Sequence, residues 1–173
     1  MTDIVDKATR SRMMSGIRGK DTRPEVLVRK ALHALGFRYR LHNKSLPGKP
    51  DLSFPKYKAV IFIHGCFWHG HSCRYFKVPK TRTDFWQDKI NSNRLRDAQQ
   101  LVQLQQAGWR VLIVWECATR KNKTLPNDML INCIANWLIM GSYSESIDEA
   151  GIQPLPCLTI ESVTAQKALP PNI

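Results

Sequence analysis

Apolar residues change spacing several times along the chain, and each change predicts an element. After Thr22 the apolar set Val26, Leu27, Ala31, Leu32 and Leu35 recurs at helical intervals. Thr22 can cap this helix, Pro24 suits its first turn, Glu25 follows the cap by three residues, and Gly36 ends it. Phe37-Arg38-Tyr39-Arg40-Leu41 alternates and predicts a strand with one apolar face. Pro47-Gly48-Lys49-Pro50 is a turn, and Asp51–Phe54 with Lys58–His64 predicts a hairpin around Pro55-Lys56-Tyr57. Residues 65–83 are loop. A long helix is expected over Asp84–Ala107, ended by Gly108. A central strand follows over Trp109–Glu116, where the run is almost wholly apolar. Asp128–Met140 is a last helix. This order implies an α/β fold, a mixed sheet with helices on both faces. The pattern fades after Gly141, and Pro154, Pro156, Pro170 and Pro171 mark residues 142–173 as a poorly ordered tail. Residues 1–20 are basic and polar. Met14 and Ile17 share one side of a short helix there, which is either an arm or a frayed terminus. Residues 21–141 then form the folded domain.

Composition sharpens this picture at two points. The chain of 173 residues carries 26 Lys+Arg against 14 Asp+Glu, a formal charge of +12. Residues 1–120 hold 23 basic and 9 acidic side chains (+14), and residues 121–173 hold 3 and 5 (−2). A basic excess confined to the front two-thirds points to a polyanion, nucleic acid first. No apolar run reaches membrane-span length, and the first residues lack a signal-peptide core, so no membrane partner is expected and the cytoplasm is the expected compartment. Five cysteines, an odd number, argue against a closed disulfide framework and for metal binding or free thiols.

Cys66-Phe67-Trp68-His69-Gly70-His71-Ser72-Cys73 packs two thiols and two imidazoles into eight residues, and Cys117 follows the expected central strand. Structural zinc commonly takes three Cys and one His, so the three thiols fit, with His69 and His71 competing for the fourth place. Cys133 falls on the apolar face of the last helix and Cys157 in the tail, where neither suggests chemistry.

Pro50-Asp51 opens one strand of the hairpin and His64 ends the next. A strand-end carboxylate beside a histidine suits Mg²⁺. In the long helix Trp86, Ile90, Arg94, Asp97, Leu101 and Leu104 are three or four apart, which sets Asp97 among apolar neighbours. A carboxylate there needs a partner. Arg94 is one candidate, and an imidazole of the His69 loop, oriented as a base, is the other. Phe67 and Trp68 lie in a polar loop near Arg74, Lys77, Lys80 and Arg82, where aromatic rings pack inward or stack on bases.

These residues resemble a known family. Asp6–Ser11, Leu46-Pro47-Gly48-Lys49-Pro50-Asp51, His64-Gly65-Cys66-Phe67-Trp68-His69, Phe76-Lys77-Val78-Pro79, Thr81-Arg82-Thr83 and Gly108–Cys117 are similar to the very short patch repair endonucleases, over about residues 6–120. The resemblance implies a restriction-endonuclease-like fold with a structural zinc. It implies nicking of double-stranded DNA 5′ to the thymine of a T:G mismatch left by 5-methylcytosine deamination, with Mg²⁺. Zinc would be held by Cys66, His71, Cys73 and Cys117, and Mg²⁺ by Asp51 and the backbone carbonyl of Ile63. His69 would be the general base, oriented by Asp97, with His64 near the scissile phosphate and Glu25 at the edge. Phe67, Trp68 and Trp86 would wedge beside the mismatch, Met14 and Ile17 would enter from the other groove, and Lys77 and Arg82 would hold phosphates. Residues 1–20 would be a DNA-contacting arm of a monomer, nucleoid-associated in use and working alongside other mismatch-repair proteins. The chain departs from a well-known member of that family at Ile63, where that member has Thr, and at Gly70, where it has His. A sequence-specific restriction endonuclease and a non-catalytic zinc module that binds nucleic acid are the competing functions.

Overall fold

The structure, a computed structural model, describes residues 6, 8–9, 12, 15, 19–120 and 126–155. Met14, Ile17 and Cys157 lie outside the described residues, and so does most of the expected N-terminal arm.

Among the described residues a six-stranded mixed sheet carries three helices. Helix α1 is Arg23–Ala34, strands β1, β2 and β3 are Arg40–Leu41, Leu52–Phe54 and Ala59–His64, and helix α2 is Thr83–Gln106. Strand β4, Arg110–Trp115, helix α3, Asn127–Met140, and strands β5, Glu145–Asp148, and β6, Gly151–Pro154, complete the order. The strands lie side by side in chain order. β3, β4 and β5 run parallel, and β1–β2 and β6 add antiparallel edges. The chain is α/β, with helices on both faces as expected.

Alternation along the strands builds the two cores. Ala59 and Ile61 of β3, with Leu112 and Val114 of β4, face Val28 and Leu32 of α1 and Leu130, Ile134 and Leu138 of α3. Val60, Phe62 and Val111 face Leu101 and Leu104 of α2 on the other side. Each fully buried aliphatic side chain contributes about 1.5–3 kcal/mol. Cys133 packs at the border of the larger core, as its place on α3 suggested.

Helix α1 starts as its sequence predicts. Thr22 caps it, and Glu25 reaches back so that its carboxylate accepts from the Asp21 N–H and the Thr22 hydroxyl, both at 2.8 Å. Its buried stripe is shifted from the expected one: Val28 and Leu32 are buried, while Leu35 is 54% exposed. Leu35 sits at the cap, where Gly36 (φ +88°) turns the chain away from the helix. Phe37 and Tyr39 face the core as the alternation predicts, but only Arg40–Leu41 pairs, and Leu41 is exposed on this edge.

The expectation of a poorly ordered tail is corrected over residues 145–154, which form β5 and β6. These strands are short, and Ile147 is their one fully buried apolar residue, so no period of two is legible. Pro154 is tolerated because β6 is an edge. No helix among the described residues is long and apolar enough to cross a membrane.

Candidate active site and metal centre

The chemistry gathers at the carboxyl ends of the parallel strands, where open α/β sheets place their crevices. His64 ends β3 opposite Trp115, which ends β4. The loop after His64 folds tightly on itself: the His69 N–H donates to the Gly65 carbonyl at 3.3 Å, and the His71 N–H to the Cys66 carbonyl at 3.0 Å. Gly70, with φ +62°, lies so close to α2 that a Cβ would stand 2.7 Å from the Ile90 side chain. This glycine turns the two histidines of the loop toward opposite partners.

His69 faces α2. Its Nδ1 lies 2.5 Å from Asp97 Oδ2. A carboxylate can only accept, so Nδ1 donates, and in the neutral ring Nε2 carries the lone pair. The partner of Asp97 is therefore the loop imidazole. Arg94, the other candidate, is exposed. Ile90, Leu101 and Leu104 are buried as the spacing implied. The His69 ring stacks on His64 with centroids 3.8 Å apart and planes within 6°. His64 is buried, with Trp115 edge-on at 5.4 Å. Burial, then the charge of His69, pulls the His64 imidazole down to about 3, with Asp97 pulling the other way. His64 is thus neutral at physiological pH.

Asp51 precedes β2 and accepts the Ile63 N–H at 2.7 Å on Oδ2. Burial raises its carboxyl to about 6, opposed by that N–H. Glu25 nearby raises it further, and His42 and His69 lower it. Asp51 thus carries a half-buried charge that a cation would offset. Glu25 is buried beside it and serves its helix cap at the same time. Phe62, next to Ile63 on β3, is packed in the smaller core.

His71 faces the opposite way. Its Nδ1 is 3.6 Å from Cys117 Sγ, and its Nε2 is 3.4 Å from Asp148 Oδ2. Trp115 stacks on it at 4.1 Å. One ligand atom each from Cys66, His71, Cys73 and Cys117 lies within 4.8 Å of the others. Of the two histidines left open by the spacing, His71 joins the thiols. Cys66 is pushed up and Cys117 pulled down to about 7, because the Cys66 thiol donates to the Cys117 sulfur.

Phe67, Trp68 and Trp86 form one aromatic cluster, with Phe67 5.1 Å from Trp68 and 5.3 Å from Trp86. Each ring is half-buried, so the cluster packs on itself and keeps an outward face. Buried Asn93 of α2 holds the Trp68 carbonyl at 2.8 Å. Lys77 and Arg82 are exposed, and the Arg82 guanidinium lies over Phe85 at 4.5 Å.

Four residues with a part in this geometry escaped the sequence reading: His42, Asn93, Trp115 and Asp148. His42 lies 3.7 Å from Asp51 Oδ1, within ligand distance of Asp21 and Glu25, and its Nε2 is buried without a hydrogen-bond partner. His42, Asn93 and Asp148 come from stretches with no motif around them, whereas Trp115 closes the Gly108–Cys117 stretch. Only the unexplained tryptophan closing the β4 run was a usable signal.

A family model described as DNA mismatch endonuclease Vsr matches residues 2–75. The DNA mismatch endonuclease Vsr of Escherichia coli is 46% identical over 155 residues, covering 90% of this chain and 99% of that protein. Type II nicking enzyme V.XorIIP of Xanthomonas oryzae is 50% identical over 117 residues, covering 68% of this chain and 86% of its own. Type II nicking enzyme V.NmeAIP of Neisseria meningitidis is 50% identical over 130 residues, covering 75% and 92%. With near-complete coverage at that identity, a basic chain whose paired imidazoles and carboxylates meet at one strand end belongs to the Vsr family of DNA mismatch endonucleases.

Proposed function

We propose that this protein nicks double-stranded DNA 5′ to the mispaired thymine of a T:G mismatch by hydrolysing one phosphodiester, with Mg²⁺ at Asp51 and a structural zinc at Cys66, His71, Cys73 and Cys117, on a restriction-endonuclease-like fold. The observation that carries the catalytic part is the His69–Asp97 pair stacked on a neutral His64. Asp97 fixes the His69 tautomer so that Nε2 takes the proton of an attacking water. The water oxygen bonds to phosphorus as the bond to the leaving oxygen breaks. His64, buried and neutral, offers a hydrogen bond near the phosphate without repelling the proton that His69 gains.

Asp51 and the Ile63 carbonyl would hold Mg²⁺, which supplies charge stabilisation on the phosphate. The buried, upward-shifted Asp51 carboxyl fits a cation. The zinc assignment is supported by geometry. Tetrahedral bonds of about 2.3 Å to sulfur and about 2.05 Å to nitrogen separate the two ligand atoms by about 3.6 Å. The Cys117 Sγ to His71 Nδ1 distance is 3.6 Å. Glu25 borders the Asp51 charge. Phe67, Trp68 and Trp86 offer a flat apolar face to an unstacked base step, while Lys77 and Arg82 supply phosphate affinity. Residues 1–20, with Met14 and Ile17, act as a DNA-contacting arm ahead of the nuclease unit. A monomer in the bacterial cytoplasm, at the nucleoid and alongside other mismatch-repair proteins, fits this task.

Nicking of otherwise identical T:G and T:A duplexes, with Mg²⁺ and with EDTA, tests the proposal. Cleavage of the thymine strand of the T:G duplex alone, abolished by EDTA, is expected. Equal cleavage of both duplexes would favour a restriction endonuclease, and binding without cleavage a nucleic-acid-binding module.

A further inference from the structure

The β5–β6 turn reaches the metal-ligand cluster from outside, at three points. Asp148 Oδ2 lies 3.4 Å from His71 Nε2. The Glu149 backbone N–H donates to the sulfur of Cys117. The Glu149 carboxylate pairs with Arg74 Nε at 2.9 Å, next to Cys73. Two of the contacts fall on the His71–Arg74 segment of the loop and the third on Cys117 after β4. The hairpin is pinned in turn by its pairing to β4, which runs directly into Cys117.

From these contacts we infer that Asp148 is a positioning residue for the metal centre: it holds His71 in the Nε2–H tautomer and so aims the Nδ1 lone pair at the metal. This role rests on the zinc reading above and extends it to residues outside the ligand set. An imidazole offers a metal one nitrogen, and a partner on the other nitrogen selects which. Here a carboxylate, which can only accept, faces Nε2. The nitrogen left over faces Cys117 Sγ. The ring cannot turn over easily, because Trp115 stacks on it with planes 15° apart. The turn thereby makes the last described strands part of the metal site, though they contribute no ligand. Outer partners of this kind change metal affinity by about 10–100-fold when removed.

The test uses the full zinc-loaded chain and its Asp148→Ala and Asp148→Asn variants. Zinc per chain is measured first, then zinc affinity by competition with a chromogenic chelator. The His71 ring nitrogens are read by ¹⁵N NMR. Wild type should hold one zinc, with His71 metal-bound through Nδ1 and protonated at Nε2. Asp148→Ala should bind zinc about 10–100-fold more weakly. Asp148→Asn, which keeps an oxygen acceptor without the charge, should fall between, and it carries the test if the alanine variant does not fold. A slow-exchanging Nε2–H signal should be present in wild type and lost in Asp148→Ala, which a purely structural role would not produce. Wild-type zinc with variant affinities within twofold would overturn the role of Asp148 alone, as would His71 bound through Nε2. A wild-type protein without zinc would overturn the zinc reading and this inference together.

Discussion

His69 and His71 are two residues apart in one loop, and each has a carboxylate partner, yet they face opposite chemistries. Asp97 of α2 takes Nδ1 of His69 and leaves Nε2 available. Asp148 of β5 takes Nε2 of His71 and leaves Nδ1 facing the thiols. The side chain is the same in both cases. What differs is which nitrogen the neighbouring element claims. On the proposed roles, the tertiary partner, not the residue type or its place in the loop, separates a base from a ligand. On the proposed function, one loop joins a closed metal centre to an open hydrolytic site. The two halves should fail differently when broken.

The largest effect is expected at the open half. Asp51→Ala should remove nicking and leave binding to the mismatched duplex largely intact. Activity within about tenfold of wild type, about 1.4 kcal/mol of barrier, would contradict the assignment. The same variant sharpens the contrast through its stability. A carboxyl raised in the folded state favours folding at low pH, and that contribution is lost as pH rises through about 6. At pH 7.5 in EDTA, Asp51→Ala should therefore melt no lower than wild type.

The closed half should show the reverse. Cys117→Ser would leave three of the four ligands of the proposed zinc centre, and metal binding is coupled to folding. It should lose zinc and melt several degrees lower, as read by metal analysis and a thermal scan. Unchanged zinc content and melting temperature would refute the metal centre.

A smaller effect is expected at the aromatic cluster between the halves. Trp68→Ala should weaken binding to a T:G duplex by about 1–3 kcal/mol and to a matched duplex much less, with little change in salt dependence. Arg82→Ala should weaken both and flatten the salt slope. Fluorescence binding at several salt concentrations separates these outcomes. A Trp68→Ala protein that melts far lower but keeps its mismatch preference would identify the ring as packing.

The subtlest effect concerns His64. Its folded imidazole is pulled down to about 3, against about 6.5 when unfolded. Between those values the unfolded chain binds a proton that the folded chain refuses. Stability therefore falls as pH drops below about 6.5. His64→Phe should lose this component, so its melting temperature should fall less than that of wild type between pH 7.5 and 5.0. Parallel slopes would place a charged His64 in the fold.

Much of this was legible in the sequence where the cause is local. Thr22, Glu25 and Gly36 mark α1, and Gly108 and the apolar run after it mark β4, because caps and burial act over a few residues. The Cys–His cluster of residues 66–73 is legible as a density of thiols and imidazoles. The choice between His69 and His71 was not, since it depends on Asp97 and Asp148, 28 and 77 positions away from their respective partners. The spacing of Leu35 continues the helix and points it to the core, but Gly36 ends the helix there and Leu35 is exposed. β5 and β6 were missed because four-residue strands carry too few apolar positions to show a period.

The most direct test of the division of labour is a double-mutant cycle on the open half. Nicking rates on a T:G duplex are measured for wild type, His69→Ala, Asp97→Ala and the double variant, with zinc content determined for each. If Asp97 acts through His69, His69→Ala costs about 10²–10⁴-fold. Adding Asp97→Ala to it then costs less than about threefold more, and every variant holds one zinc. Losses that multiply, or zinc lost with His69, would contradict the account.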